Sequence, residues 1–475
     1  MAKASARKTR CRIAGVSKNA YAAATVVRLE CRNEPERITV SARFVDRERS
    51  VIMDSDTARG IDRRRLVTWG GAAAAGMVAA GGPLVGARIG HADSAPTGSS
   101  GRDRIPPDTR PGGAYDRYVA RLAAEGKFSG VVLLSYRGRT VLSRSYGMAD
   151  QEKRIRNHEG VAFNLSSGSQ PFLSVAVLQL VQQGRVTLSD TVGTHLTGFA
   201  REIAEQVTIH HLLTSTSGLD APMPDWQRVF HSREEVHEYN EQWARQATLV
   251  GVPGTGSNGH RPGGGVGLAM AAQIVEAVSG MTFWDYVHEH VFERSGMSGS
   301  AFYTREQWLT DEHIAHPYMR QADGSLVDAV RNLDKGSLDP NIRGRNPGRS
   351  FIGYASGDGF ATAPDLVRFA EALRDGTVLD RPYADLFAGP KLPGPEPTSY
   401  EAYTMPVSIV NGQWVIGRGG GAGGIGANWS IYPDTGWVGV VLSNHDGVPM
   451  LDICLREAEA VTGGPVGPPG GGGGG

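Results

Sequence analysis

Cysteine is scarce in this sequence of 475 residues, in which only Cys11, Cys31 and Cys454 occur. Three cysteines cannot form a disulfide scaffold, and no two of them are spaced as the Cys-x-x-Cys pair that holds zinc. We expect neither a metal ion nor a cofactor. An excess of one charge is also lacking, because 49 Lys and Arg residues balance 49 Asp and Glu residues. The chain as a whole therefore has no basic footprint for nucleic acid.

What the sequence does contain is enough apolar material for a folded core. Hydrophobic residues make up 40% and charged residues 21% of the chain, which excludes disorder of the whole chain. The length suits one large domain or two ordinary ones. Glycine is abundant, and residues 463–475 end in a bare glycine run. We predict that this tail is disordered.

Residues 53–92 have the pattern of a twin-arginine export signal. Arg63, Arg64 and Arg65 precede an uncharged, Ala- and Gly-rich stretch at residues 68–87, and small residues favour cleavage after Ala92. An uncleaved membrane anchor and a buried helix are the alternatives, and the glycines disfavour both. The prediction is export to the periplasm or beyond the cell; without a working signal the protein would be cytoplasmic.

The 52 residues before Met53 are unexpected, because an export signal normally begins a protein. We predict that residues 1–52 are a spurious or unstructured extension and that translation starts at Met53; a structured extra module is the alternative. Residues 1–92 carry 17 basic and 8 acidic side chains, so a chain that starts at Asp93 would have a net charge near −9. Such a protein is a poor partner for nucleic acid or anionic lipid. We expect no stable membrane span in the mature form.

The remainder predicts an α+β fold. Residues 93–114 form a Pro/Gly/Ser-rich linker, and one domain follows over residues 115–462. β-Rich runs at 130–136 and 140–146, and again at 429–433 and 437–444, predict a hairpin near each end of the domain. Helical patterns lie between them, the most apolar at 171–184. These hairpins predict one antiparallel sheet built from both chain ends, flanked by helices and accompanied by a helical subdomain.

Several blocks carry a resemblance to a known family. These are FNLSSGSQPF (163–172), VTIHHLLTSTSGL (207–219), Pro253-Gly254-Thr255 and IGRGGGAGGIGANWSIYPDTGWVGVVLSN (416–444). In order and spacing they resemble the serine β-lactamase and penicillin-binding superfamily, most of all the class C β-lactamase-related esterases and peptidases. The resemblance implies acyl transfer through a Ser-x-x-Lys helix start, a Tyr-x-Asn loop, and a strand with Lys or His before two small residues.

At the first of these elements the resemblance places Ser167 in the nucleophile position. The lysine position holds Gln170, whose neutral amide cannot accept a proton near neutral pH. General-base help is worth about 100- to 10,000-fold in rate, and that help is missing. A helix-capping role for Ser167 is the alternative.

At the second element the expected tyrosine is absent. Gly263 occupies its position when counted from the following helix, whereas counting from Pro253 favours Gly256-Ser257-Asn258. Asn258 would then supply an amide for substrate. His260 lies in the same loop and could act as a substitute base, because histidine titrates near neutrality. An exposed loop histidine without a role is the alternative.

The third element is Arg418-Gly419-Gly420-Gly421. Arg418 keeps a positive charge and could bind a carboxylate, but it cannot act as an acid or base. The resemblance assigns the second oxyanion donor to the Gly421 N–H, beside that of Ser167, and Gly419 and Gly420 to substrate binding. A loosened strand would explain the glycines equally well.

Three functions follow from this combination. The first is a serine hydrolase or acyltransferase of altered or reduced activity on a small ester, amide or peptidyl substrate. The second is a pseudoenzyme that binds a carboxylate-bearing ligand through Arg418. The third is a cyclase or isomerase that uses the same cleft without a covalent step. The sequence leaves the oligomeric state open.

Overall fold

The computed structural model describes residues 11–18, 25–31, 105–256, 265–340 and 342–466, within two compact units, residues 1–93 and 94–475. In the first unit, strands β1 (Cys11–Lys18) and β2 (Thr25–Cys31) pair antiparallel, where the sequence favoured no regular element. That residues 1–52 are a spurious extension stays a prediction. The predicted export signal, most of the linker and the end of the glycine tail lie outside the described residues.

The second unit contains an eight-stranded antiparallel sheet in the order β13-β14-β15-β16-β17-β18-β3-β4. Sheet and helices together confirm the predicted α+β fold, with both chain ends meeting where β18 pairs with β3. The strands of this unit are β3 (Gly130–Tyr136), β4 (Arg139–Tyr146), β5 (Met148–Asp150), β6 (Ile155–Arg156), β7 (Phe163–Asn164), β8 (Leu219–Asp220), β9 (Thr248–Leu249), β10 (Tyr318–Arg320), β11 (Leu326–Asp328), β12 (Phe360–Ala361), β13 (Leu392–Pro393), β14 (Ser399–Glu401), β15 (Pro406–Val410), β16 (Gln413–Ala422), β17 (Ile425–Tyr432) and β18 (Trp437–Ser443).

Helices cover both faces of the sheet, and most of them lie in the sequence between β4 and β13. They are α1 (Ala114–Ala124), α2 (Gln170–Gln182), α3 (Val192–His195), α4 (Arg201–Gln206), α5 (Ile209–Leu213), α6 (Arg233–Arg245), α7 (Val266–Ser279), α8 (Phe283–Val287), α9 (Arg305–Thr310), α10 (Ala363–Asp375), α11 (Arg381–Ala388) and α12 (Met450–Thr462). A π-helical segment, His288–Glu293, continues α8. Short 3₁₀ turns lie at Pro107–Thr109, Ser166–Ser169 and Pro347–Arg349.

Burial of apolar side chains on both faces of the sheet explains why helices cover both of them. Successive side chains of a strand point to opposite faces of a sheet. In β3, Val131 and Leu133 join the larger hydrophobic cluster with α2, α7 and α10, whereas Val132 and Leu134 join a smaller one with α1 and α12. Helix α2 is apolar almost all round and is buried along most of its length, as expected for a helix inside a core. It begins with Pro171 in its first turn, where a missing N–H costs nothing.

In the part of the chain that the structure describes, no single helix has the length and apolarity to cross a membrane. The consecutive helical segments Val266–Ser279 and Phe283–Glu293 meet those criteria only when taken together, across a bend of 80°.

Candidate active site

The turn that presents Ser167 is strained. Ser166 has a φ of +47°, which is rare for a residue with a side chain and is typical of functional sites. Two hydrogen bonds hold it there: its N–H donates to Asn164 Oδ1 at 2.7 Å, and its Oγ donates to the Gly421 carbonyl at 3.1 Å. Ser167 follows at the start of α2, where the helix dipole favours negative charge.

Strand β16 packs directly against this turn. A Cβ on Gly420 would lie 1.9 Å from the Leu165 carbonyl oxygen and 2.8 Å from the Ser167 nitrogen, so only glycine allows the strand to approach. The register of β16 with β17 is unbroken from Ile416 to Ala422, so the glycine run forms a regular strand. In an extended strand the N–H and C=O of one residue point to the same edge. Because the Gly421 carbonyl accepts from Ser166, the Gly421 N–H is also directed toward the turn.

Gln170 and Arg418 form one hydrogen-bonded unit beneath Ser167. The Arg418 guanidinium donates to the Ser167 carbonyl from Nε at 3.2 Å and to Gln170 Oε1 from Nη2. Gln170 Nε2 donates to the Ser356 carbonyl at 2.7 Å. Burial lowers the pKa of Arg418 from its ordinary value. Both ends of the Gln170 amide thus form hydrogen bonds, which link α2 to β16 and to the segment that contains Ser356.

The Ser167 hydroxyl itself has no hydrogen bond to a basic side chain among the described residues. No side chain in that part of the chain forms a hydrogen bond with Ser167 Oγ. The candidates Asn258 and His260 lie in residues 257–264, outside the described residues. Their predicted roles, like the oxyanion role of Gly421, stay predictions.

A cleft of about 320 Å³ opens in front of Ser167. Its walls combine aromatic side chains with arginines, and they also include two carboxylates. Side chains that line it are Asp225, Trp226, Arg228, Phe230, Tyr239, Trp243, Arg345, Arg349, Tyr354 and Asp358. The Arg228 guanidinium lies 4.8 Å from the ring centre of Phe230, a cation–π distance. An acyl group of mixed apolar and polar character fits such a surface.

Tyr354 does not replace the missing tyrosine. Its Oη lies 3.4 Å from Glu276 Oε2, and Glu276 also accepts from His237 at 2.9 Å. Burial raises the pKa of Tyr354 well above its ordinary value, so the phenol stays protonated. The hydrogen bond to Glu276 raises the pKa of His237. These hydrogen bonds hold Tyr354 in the wall of the cleft.

The tertiary structure brings together every predicted site residue that it describes. Ser167, Gln170, Gly419, Gly420, Gly421 and Arg418 lie at the junction of α2 and β16. Sequence reasoning missed Asp358 and the Ser356 carbonyl, which reach the turn from a segment almost 200 residues away. None of the three catalytic elements predicted from the sequence lies in that segment.

Comparison with known proteins agrees with this geometry. A sequence model of the β-lactamase family matches residues 115–462. The chain belongs to the β-lactamase family. Among curated relatives, it is 23% identical over 301 residues to the putative penicillin-binding protein PbpX of Bacillus subtilis, covering 62% of this chain and 66% of the relative. It is 27% identical over 267 residues to esterase EstB of Burkholderia gladioli, covering 51% and 65%. The chain thus spans about two thirds of the length of these relatives.

Solved structures of this family share the fold. A penicillin-binding protein homologue from Pyrococcus abyssi has a TM-score of 0.61 at 20% identity, covering 74% of this chain and 77% of its own. EstCE1, a hydrolase with promiscuous acyltransferase activity, has a TM-score of 0.60 at 20% identity, covering 73% and 97%. The β-lactamase family of serine hydrolases thus includes esterases and acyltransferases, and a further structural match is a D-amino acid amidase from Ochrobactrum anthropi.

Proposed function

We propose that this β-lactamase-family protein is a serine hydrolase or acyltransferase of reduced activity, with Ser167 as the nucleophile and small esters, amides or peptidyl compounds as substrates. The strained turn carries this proposal, because Ser166 is held at a positive φ by a contact with Gly421. We propose that the N–H groups of Ser167 and Gly421 both point to one place beside the nucleophile. Two such donors are what a developing oxyanion requires.

The reduced activity follows from Gln170. Its amide bridges Arg418 and Ser356 and cannot take the proton of Ser167. Arg418 supplies a fixed positive charge close to the nucleophile, which favours the oxyanion but moves no proton. We therefore expect acyl donors with good leaving groups, such as activated esters and thioesters, to react first. Gly419, Gly420 and Asn258 would contact the substrate.

Covalent labelling tests the proposal. The folded protein is incubated with a fluorophosphonate probe and with a penicillin, and the adduct is mapped by mass spectrometry of the peptide that contains Ser166 and Ser167. An adduct that maps to Ser167 and not to Ser166, and that Ser167→Ala abolishes, supports it. Absence of any adduct on a folded sample contradicts it.

A second candidate is a pseudoenzyme that binds a carboxylate-bearing ligand. Arg418 favours it, because the hydrogen bonds of this buried cation go to neutral groups. Tight binding of a carboxylate without turnover, lost in Arg418→Met, would favour this function. Turnover that survives Ser167→Ala would instead indicate a non-covalent cyclase or isomerase.

We also propose export through the twin-arginine segment, on the basis of the sequence alone. Amino-terminal sequencing of the native protein tests it. A mature end at Asp93 supports export, whereas an end at Met1 or Met53 contradicts it.

A further inference from the structure

The proposed acyl transfer lacks a proton acceptor in the family's usual positions, but a carboxylate lies among the described residues around the turn. This carboxylate belongs to Asp358, whose backbone is hydrogen-bonded to the turn. Its N–H donates to the Ser166 carbonyl at 3.1 Å, and the Leu165 N–H donates to the Gly359 carbonyl at 2.9 Å. Residues 357–359 therefore run alongside the turn, with Asp358 opposite Ser166.

The contact between these two segments is close. A Cβ on Gly357 would lie 3.0 Å from the Ser166 carbonyl and 3.3 Å from the Ser167 nitrogen. The Gly359 N–H donates to Ser169 Oγ at 3.1 Å. Asp358 and Ser167 both line the same cleft. The backbone of Asp358 is thus fixed beside the residue that precedes the nucleophile, and both residues border one cleft.

The backbone at Asp358 is itself strained. Its φ is +64°, a conformation that costs a residue with a side chain about 1 kcal/mol and costs glycine nothing. Glycine at this position would satisfy the turn without strain, so the turn does not explain the carboxyl group. Ser166 and Asp358, both in this conformation, face each other across the hydrogen bond. Strain of this kind concentrates at functional sites.

Burial raises the pKa of the Asp358 carboxyl, and the Asn164 side chain and the positive charge of Arg345 only partly offset that rise. A carboxylate with a raised pKa is a stronger base. The other ionisable side chains of the cleft around it are Asp225, Arg228, Arg349 and Tyr354. The pKa of Tyr354 is also raised, so this phenol does not compete as a base.

We propose that Asp358 is the proton acceptor for Ser167, an inference that rests on the proposed function. Ser167 Oγ bonds to the carbonyl carbon of the acyl donor as its proton passes to the Asp358 carboxylate. The carbonyl electron pair moves to the oxygen, which the N–H groups of Ser167 and Gly421 stabilise. When the carbonyl re-forms, the leaving group departs with the proton from Asp358. Water or an acceptor alcohol then repeats the sequence, which frees Ser167 and yields an acid or an ester.

The test measures acylation of the full chain by p-nitrophenyl acetate and by a fluorophosphonate probe between pH 4 and 9. We expect Asp358→Asn and Asp358→Gly to slow acylation about 100-fold. We expect the wild-type rate to rise with pH through one ionisation that is absent from both variants. Asp323→Asn, which removes an exposed carboxylate in the β10–β11 turn, should stay within twofold of wild type. Melting temperatures near or above that of wild type, above all for the glycine variant, would exclude misfolding.

Three outcomes distinguish the possibilities. Wild-type rates and an unchanged pH profile in Asp358→Asn, with Ser167→Ala inactive, would overturn the role of Asp358 and leave the proposed function intact. Loss of the pH-dependent rise in His260→Gln, but not in Asp358→Asn, would assign the proton to His260 instead. If Ser167→Ala reacts as fast as wild type, both the acyl-transfer function and the role of Asp358 fail.

Discussion

Two arginines in this protein contrast in what surrounds them. Arg331 lies in a charged network, in which Nη2 is 2.6 Å from Asp150 Oδ2 and a second ion pair joins it to Asp328. Hydrogen bonding to Asp150 raises its pKa above the ordinary value. Arg418 is buried beside Ser167 and donates to a backbone carbonyl and an amide. Burial lowers its pKa.

This difference distinguishes an arginine that stabilises the fold from one that lies at the candidate active site. At Arg331 the positive charge is offset by carboxylates, and His316 adds a further hydrogen bond to Asp328 at 2.7 Å, so the network links β5, β11 and the segments between them. Arg418 instead donates its hydrogen bonds to neutral groups, and the negative charge of Glu401 only partly offsets the effect of burial on its pKa. A buried cation whose charge is only partly offset is costly for stability. It is useful where an oxyanion forms.

The largest expected effect is a loss of stability when Arg331, the arginine of the charged network, is replaced. Arg331→Met leaves Asp150 and Asp328 buried without their cation, which should lower the free energy of unfolding by about 3–5 kcal/mol. Urea denaturation measures the loss. The control Arg381→Met removes an exposed ion pair with Asp385 and should cost less than about 1 kcal/mol. Equal losses in the two variants would contradict the assignment.

Arg418→Met should show the opposite pattern. We expect the free energy of unfolding to change by about 1 kcal/mol or less, because losing two hydrogen bonds is balanced by removing a buried charge. The rate of acylation should fall about 100-fold, as when a group that stabilises an oxyanion is removed. Denaturation and probe kinetics on the same samples check both numbers. A large loss of stability with an unchanged rate would make Arg418 part of the scaffold.

Restoring the family's lysine should not restore activity. Gln170→Lys places an ammonium against the Arg418 guanidinium, and we expect it to lower stability and leave acylation no faster. In an Arg418→Met background the same change should be tolerated. The coupling free energy between the two positions in a double-mutant cycle should be about 1–3 kcal/mol. Additive effects would show that the two side chains do not act as a pair.

Stability is also expected to depend on pH through Glu457, a buried acid on the opposite side of the sheet. It is 1% exposed, and burial raises its pKa to about 8. Between its ordinary pKa near 4.5 and pH 8 the folded state keeps a proton that the unfolded state has released. Stability should therefore fall as the pH rises through this range, by at most about 1.4 kcal/mol per pH unit. Glu457→Gln should remove this slope and melt higher than wild type at pH 9; parallel curves for the two proteins would contradict it.

The parts of the fold that were predictable share one property. Hairpins at 130–146 and 425–443 and the apolar helix after Ser167 are encoded by neighbouring residues, through alternation, turn residues and a first-turn proline. Their pairing into one sheet followed from the two hairpins at the chain ends. The aromatic walls of the cleft escaped prediction, since Trp226, Tyr239 and Tyr354 come from three segments whose local patterns indicate ordinary loops and helices.

The sequence by itself predicted the fold, and it placed Ser167 and Gln170 at the start of the apolar helix and Arg418 before the glycine run, because residue identity and spacing are local facts. Only the tertiary structure decided that Gln170 and Arg418 bind each other and that Asp358 faces the nucleophile turn. Hydrogen bonds between residues 190–250 positions apart depend on how strands and helices pack. No repeating pattern in the sequence indicates which residues so far apart in the chain come into contact.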